Sequence, residues 1–328
     1  MEECALSIGM GAGQPMIRIR NLTHIYPGSR KVAPHVAVSD LSLEVREGEF
    51  AILSGPNGSG KSTLFRILCG LARPSAGQVS IAGFDLLTEP ARVRDVLGVV
   101  FQSPAVDKQL TVAENLAIQA DLYGIPAAEY LARRDEALAW TDLGGRLDNR
   151  VETLSGGLAR QVELAKVLMT NPRVLLLDEP TTGLDPVSRR NFLEALQRLH
   201  HERGLTILMT SHVFSEAEDV DRVAIMREGK LMAYDTPQAL RAMIGTEMVV
   251  IQSRDAKVLA GRLESELGLT ASVVGDEVRL AETENGDSLP LLEKILQRYR
   301  PDIRSISIKQ PGLDDVFVRV TGAASGQE

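Results

Sequence analysis

Gly55-Pro56-Asn57-Gly58-Ser59-Gly60-Lys61-Ser62-Thr63 is the stretch on which the fold turns. It matches the pattern G-x-x-x-x-G-K-[ST]. Glycines at these places let the backbone point its N–H groups inward around an anion. The N-terminus of a following helix adds the positive end of its dipole. In that geometry Lys61 reaches the β- and γ-phosphates of a nucleotide, and Ser62 enters the shell of its Mg²⁺. A Gly-rich turn with a solvated lysine could carry the same letters, but the flanks argue against it. Phe50 to Leu53 is a short apolar run suited to a strand buried on both faces, and Leu64 to Leu71 has helical periodicity. The Gly-rich Gly9 to Gly13 stretch has neither flank, so residues 1–15 read as a disordered tail.

Moving outward, Val96 to Phe101, Val174 to Leu177, Thr206 to Met209 and Val223 to Met226 repeat the short apolar pattern, with helical patterns between several of them. This predicts an α/β domain over residues 16–243 with parallel strands at its centre. Its first part, Ile17 to Val45, is rich in strand signals. Residues 111–142 and 158–170 carry helical patterns alone and read as a helical insertion, within a subdomain of about 103–170. After residue 243 the order of patterns is strand, helix, strand, strand, helix, strand, ending at Lys309. That is the ferredoxin-like arrangement, and it marks 244–328 as a small α+β domain. Val249, Ile251, Val273, Val278, Ile306 and Ile308 are expected to form an apolar sheet face that needs a cover, either the same module of a second copy or the end of the ATPase domain through Val316, Phe317 and Val320. Asp314 and Asp315 read as dipole-favouring acids at a helix start.

Val174-Leu175-Leu176-Leu177-Asp178-Glu179-Pro180 is an apolar strand closing on two carboxylates. Neighbouring strand residues point to opposite sides, so the two acids should differ in role. Ligands of open α/β sheets bind at such strand ends. Asp178 suits the Mg²⁺ shell, and Glu179 suits polarising an attacking water. Leu154-Ser155-Gly156-Gly157 stands ahead of a helix and forms a second anion-binding turn in the same chain.

The chain has 328 residues and a net charge of −8, which does not call for nucleic acid as a partner. Cys4 and Cys69 are too far apart in sequence to suggest a disulfide framework or a metal site. Cys69 falls in an apolar helical pattern and reads as a packing residue. No apolar run is long enough to span a membrane, and the acidic start is not a secretory signal, so a separate chain would have to cross any membrane involved.

With both motifs in place, residues 16–243 resemble the ABC ATPase family. The resemblance implies a P-loop NTPase of ABC type that binds ATP and Mg²⁺, with Gly55 to Thr63 around the phosphates and Ser62, Gln102 and Asp178 at the metal. It further implies that Tyr26 stacks on adenine, that Gln102 contacts metal and water, and that Glu179 and His212 serve hydrolysis beside Lys61. Gly183-Leu184-Asp185-Pro186 corresponds to the family's dimer-crossing loop. Two copies would pair head to tail, so that Ser155, Gly156, Gly157 and Asp185 of one meet the nucleotide of the other. The chain departs from the family at Leu158, where glutamine is common. Leu110 to Leu116 and Pro311 to Phe317 resemble ABC-2 type exporter subunits of the daunorubicin-resistance group. This implies a homodimer at the cytoplasmic face of the membrane, acting on a separately encoded permease. An importer subunit and a non-transport ABC ATPase are the alternatives.

Overall fold

The computed structural model describes residues 15–28, 33–245, 247–281 and 289–321. The tail expected over 1–15 lies outside these, apart from Pro15, which opens the first strand. The chain packs as two units. Of the described residues, one unit takes in those up to Ala51 and Gly60–Thr210; the other takes in Ile52–Ser59 and those from Ser211 onward.

In the first unit the order is β1 (Pro15–Tyr26), β2 (His35–Arg46), the start of β3 (Phe50–Ser54), α1 (Lys61–Leu68), β4 (Ala76–Ile81), β5 (Phe84–Asp85), α2 (Pro90–Val96), β6 (Leu97–Val100), α3 (Val112–Leu122), α4 (Ala127–Leu138), α5 (Gly156–Leu168), β7 (Val174–Asp178), α6 (Pro186–Arg203) and β8 (Thr206–Ser211). β2-β1-β4-β5 form an antiparallel sheet. β6, β7 and β8 run parallel, with Leu97 opposite Val174 and Val174 opposite Thr206. Val174 to Leu177 and all of β8 are buried, as strands covered on both faces should be. The Glu47-Gly48-Glu49 turn meets the start of β8: Gly48 N–H donates to Thr206 Oγ1 at 2.9 Å, and Ile207 N–H donates to Glu49 O at 2.9 Å.

The helical segment follows β6. Leu110 to Leu116 owes its letters to a helix start. Thr111 caps α3 by accepting from Glu114 N–H at 3.1 Å, while Glu114 accepts from Thr111 N–H at 2.8 Å. Asn115 ties the preceding loop through Asp107, accepting from its N–H and donating to its carbonyl, each at 2.9 Å. α5 packs against α3, α4 and α6. Its contact with α6 requires glycine at 157, where a Cβ would lie 2.5 Å from Ser188 Cβ.

The second unit continues with β9 (Arg222–Arg227), β10 (Lys230–Asp235), α7 (Pro237–Ala242), β11 (Met248–Ser253), α8 (Ala256–Leu267), β12 (Ala271–Val274), β13 (Glu277–Ala281), α9 (Leu289–Tyr299), β14 (Ile303–Lys309) and α10 (Leu313–Thr321). β9 and β10 form a hairpin whose two turn residues, Glu228 and Gly229, have φ of 51° and 78°. These are the positive angles a twisted two-residue hairpin demands. The last four strands form an antiparallel sheet ordered β12-β13-β11-β14, the split βαβ arrangement.

The expectation of an apolar sheet face awaiting a cover is overturned here. Val249, Ile251 and Val278 pack with Leu259, Leu263, Ile295 and Tyr299 of α8 and α9, and Val273, Ile306 and Ile308 lie against the same core. Period-2 alternation puts these residues on the helix-covered face. Arg279 lies opposite Val250, on the alternate register positions. Its guanidinium bonds Asp314 at 2.7 Å, Asp315 at 2.6 Å and Glu277 at 3.0 Å. Asp314 and Asp315 therefore anchor α10 to the sheet and do more than favour a dipole. Phe317 of α10 in turn lies 5.1 Å from Phe214, ring centre to ring centre.

Candidate active site

The phosphate-binding stretch begins where β3 ends. Within the second unit, Gly55 passes so close to the β9 backbone that a Cβ would lie 2.4 Å from Met226 O. Ser59 N–H donates to Pro56 O at 3.1 Å, and Gly229 N–H at the hairpin tip donates to Ser59 O at 3.0 Å. Ser59 Oγ is buried without a hydrogen-bond partner. An orphaned buried hydroxyl in a glycine cradle fits a phosphate oxygen. Pro56 is half-buried, while Asn57 and Gly58 are exposed. Gly60 then takes φ of 101°, an angle open to glycine, and precedes α1 in the first unit.

Lys61 is buried at the start of α1, with Ser62 exposed beside it. Burial pulls the Lys61 ammonium below its ordinary range, while Glu179 and Asp178 pull it back up. Cys69, further along, is half-buried, and its thiol is pushed up to about 12, first by burial and then by Asp178. It is an inert packing group.

β7 carries Asp178 to the site. Thr210 on β8 stands opposite it and donates its hydroxyl to Asp178 Oδ1 at 2.7 Å; the same Oγ1 accepts from Glu179 N–H at 2.8 Å. Burial pushes the Asp178 carboxyl up, Thr210 lowers it, and Glu179 and Lys61 act in opposite senses. A half-buried carboxylate beside a second one gains from a neighbouring cation. No group of three or more His, Cys, Asp or Glu side chains placed to hold a metal occurs among the described residues. A nucleotide-bound Mg²⁺ needs only one or two carboxylates besides phosphate and water, so this donor set fits it.

Glu179 differs from Asp178 for another reason than the strand pleat. β7 ends at Asp178, and Glu179 has φ of 42°, so the backbone turns it out of the sheet. For a non-glycine residue such an angle costs about 1–3 kcal/mol. The Thr210 bond, and Thr182 N–H donating to Glu179 O at 3.2 Å, hold it there. Its carboxylate lies 3.4 Å from Gln102 Nε2 and 3.3 Å from Thr182 Oγ1. Gln102 is exposed, two residues past β6.

Tyr26 ends β1 with its hydroxyl 3.3 Å from Thr63 Oγ1 and its ring edge-on to His24, 4.7 Å away. Ser155 caps α5 by accepting from Leu158 N–H at 3.3 Å and is exposed. Gly156 is exposed, whereas Gly157 is buried against Ser188. Asp185 caps α6, accepting from Val187 N–H and Ser188 N–H at 3.0 Å each. His212 follows β8 in the second unit and is exposed; Ser211 Oγ next to it donates to Glu216 at 2.6 Å and accepts from Val213 N–H at 2.9 Å. The first unit thus gathers Lys61, Asp178, Glu179 and Gln102. Sequence reasoning missed Thr210, Arg160 and Glu163. A threonine at the end of an apolar strand was a readable signal for the first.

The matching family model, ABC transporter, covers residues 38–182. The daunorubicin resistance ATP-binding protein DrrA3 of Streptomyces coeruleorubidus is 34% identical over 290 residues, 87% of this chain and 91% of its own length. The Nod factor export ATP-binding protein I of Burkholderia orbicola is 36% identical, over 89% of this chain and 94% of its own. A dimeric ATP-binding cassette in a post-hydrolysis state with ADP and phosphate superposes with a TM-score of 0.59 at 28% identity, covering 67% of this chain and 98% of that one. Cassettes of this kind form dimers. No helix among the described residues is long and apolar enough to cross a membrane. The chain belongs to the ABC transporter ATP-binding proteins of the ABC-2 exporter group, subunits that hydrolyse ATP to energise a membrane permease.

Proposed function

We propose that ATP is held by Gly55 to Thr63 with Tyr26 against the adenine, and that Ser62, Asp178 and Gln102 hold Mg²⁺, which supplies charge neutralisation at the phosphates. The observation that carries this reading is the grouping of Lys61, Asp178, Glu179 and Gln102 around the end of β7. Glu179 orients and deprotonates the attacking water, and His212 contacts the γ-phosphate. Lys61 and the partner copy's signature turn, Ser155 with Gly156 and Gly157, offset the charge of the in-line transition state. Asp185 joins the contact between copies in a homodimer. The test is the Glu179→Gln protein: it should bind ATP, lose turnover and accumulate as a dimer.

Tyr26→Ala is expected to raise KM for ATP several-fold and Tyr26→Trp to leave it unchanged, measured by steady-state hydrolysis. Stacking adds about 0.5–1.5 kcal/mol, up to roughly tenfold in affinity. An alanine variant with unchanged KM would assign the base to another group.

The subunit works at the cytoplasmic face, where the permease engages the surface around Gln102 and the helices that follow it, roughly 103–116. Phe101, and beyond that stretch Ile118 and Leu122 of α3 with Tyr123 at its end, are exposed apolar groups, and Phe101 and Tyr123 line a cavity of ≈ 280 Å³. Residues 16–243 act as the ATPase domain and 244–328 as a regulatory and assembly module. Ending the chain near residue 243 removes α10 and bares Phe214. The truncated protein is expected to melt at a lower temperature and to lose nucleotide-independent dimerisation. Unchanged melting and dimerisation on light scattering would remove that role.

A further inference from the structure

Arg160 and Glu163 lie on α5, shortly after the Ser155-Gly156-Gly157 turn. Their side chains are 3% and 1% exposed and pair at 2.5 Å, one turn apart on α5. Arg160 Nε donates to Pro180 O at 2.7 Å, and its Nη1 donates to Phe101 O at 2.6 Å. Glu163 Oε1 accepts from Ala105 N–H at 3.2 Å, and Lys166 Nζ donates to Ala105 O at 2.6 Å. Gln102 is therefore bracketed: Phe101 before it and Ala105 after it are both tied to α5. Pro180, the residue after Glu179, is tied to the same guanidinium. α5 itself starts from the Ser155 turn.

We propose that the Arg160–Glu163 pair is a positioning device for hydrolysis, setting Gln102 and Glu179 relative to each other and to α5. It rests on the reading of those two side chains as the groups that handle the attacking water. A buried ion pair is poor evidence of stabilisation, because an apolar pair of similar volume often serves as well or better. Geometry supplies the reason for one here. A guanidinium is a rigid planar fork that bonds several acceptors in fixed directions, which a lysine ammonium does not. This fork meets two backbone carbonyls and one carboxylate, and each carbonyl belongs to a residue adjoining a water-handling side chain. Gln161 next door serves a different end: it accepts from Asp142 N–H at 2.7 Å and donates to Asp142 Oδ2 at 2.9 Å, fixing the α4–α5 connection.

The test uses the full-length protein with Arg160→Lys and with the double change Arg160→Met plus Glu163→Met, which removes both charges. Melting temperature, kcat and KM for Mg·ATP are measured for each. In both variants kcat is expected to fall at least about tenfold with KM little changed, since misplacement by about 1 Å costs on the order of a hundredfold. In the double variant the fall should persist while the melting temperature stays near that of the unmodified protein. A purely structural role would make kcat recover with stability, and a double variant with unmodified kcat overturns the proposal. Should that variant not fold, unmodified kcat in Arg160→Lys overturns it. Glu179→Gln separates the two readings. If it keeps full turnover, the site assignment fails and this inference with it. If it loses turnover while the Arg160 variants keep theirs, only this inference fails.

Discussion

Glu179→Gln is expected to lower kcat by roughly 10²–10⁴, the range that a positioned general base supplies. ATP binding should survive, because the phosphate-binding residues Gly55 to Thr63 and Lys61 are untouched. The amide fills the same space and can still meet Gln102, which stands 3.4 Å from the carboxylate, and Thr182 at 3.3 Å. It cannot accept the proton of the attacking water. The unusual backbone at this position, with φ of 42°, is held by bonds to main-chain atoms, from Thr210 and Thr182, so the substitution leaves its support in place. With hydrolysis blocked and binding intact, the ATP-bound dimer should accumulate. Steady-state hydrolysis and gel filtration at saturating Mg·ATP read both effects. A monomeric, ATP-loaded Glu179→Gln protein would dismantle the two-copy site.

Ser155→Arg is expected to abolish turnover by a different route, leaving ATP bound to a chain that cannot close on its partner. Ser155 is exposed at the N-terminus of α5, where a helix end favours an anion. An arginine there would fill the space proposed for the partner's γ-phosphate. The change also removes a helix cap, which costs about 0.5–2 kcal/mol. Ser155→Asp separates the effects: aspartate caps as well as serine but sets a negative charge against phosphate. Both variants should bind a fluorescent ATP analogue with near-normal affinity and fail to dimerise in the Glu179→Gln background. Dimerisation of either as efficient as with Ser155 would show that this turn does not face a nucleotide.

Local letters carried a large share of the fold. A phosphate-binding loop is a short-range object: its glycines, its lysine and its flanking apolar strand and helix lie within a few turns of chain, so it can be read without knowing what packs where. The fully apolar β7 and β8 were legible for the same reason, since burial on both faces erases alternation and leaves an unbroken hydrophobic run. The βαββαβ order of the last module followed from alternating periods of two and 3.6.

What lay beyond reach depends on partners distant in sequence. Period-2 reading sorted Val249, Ile251 and Val278 onto one face of a sheet, but only packing showed that α8 and α9 already cover that face. Asp314 and Asp315 looked like helix-start acids until Arg279, 35 and 36 residues earlier, met them across the sheet. The pleat argument for Asp178 and Glu179 failed because the strand ends between them, and the turn depends on Thr210, 31 residues from Glu179, whose hydroxyl serves both acids. Arg160 carried no sequence signal of its role. Its acceptors are the backbone carbonyls of Phe101 and Pro180, and since every residue carries such a carbonyl, no letter of the sequence marks these two. Side-chain bonds to backbone are set by where the main chain passes, and that is decided when helices and strands pack.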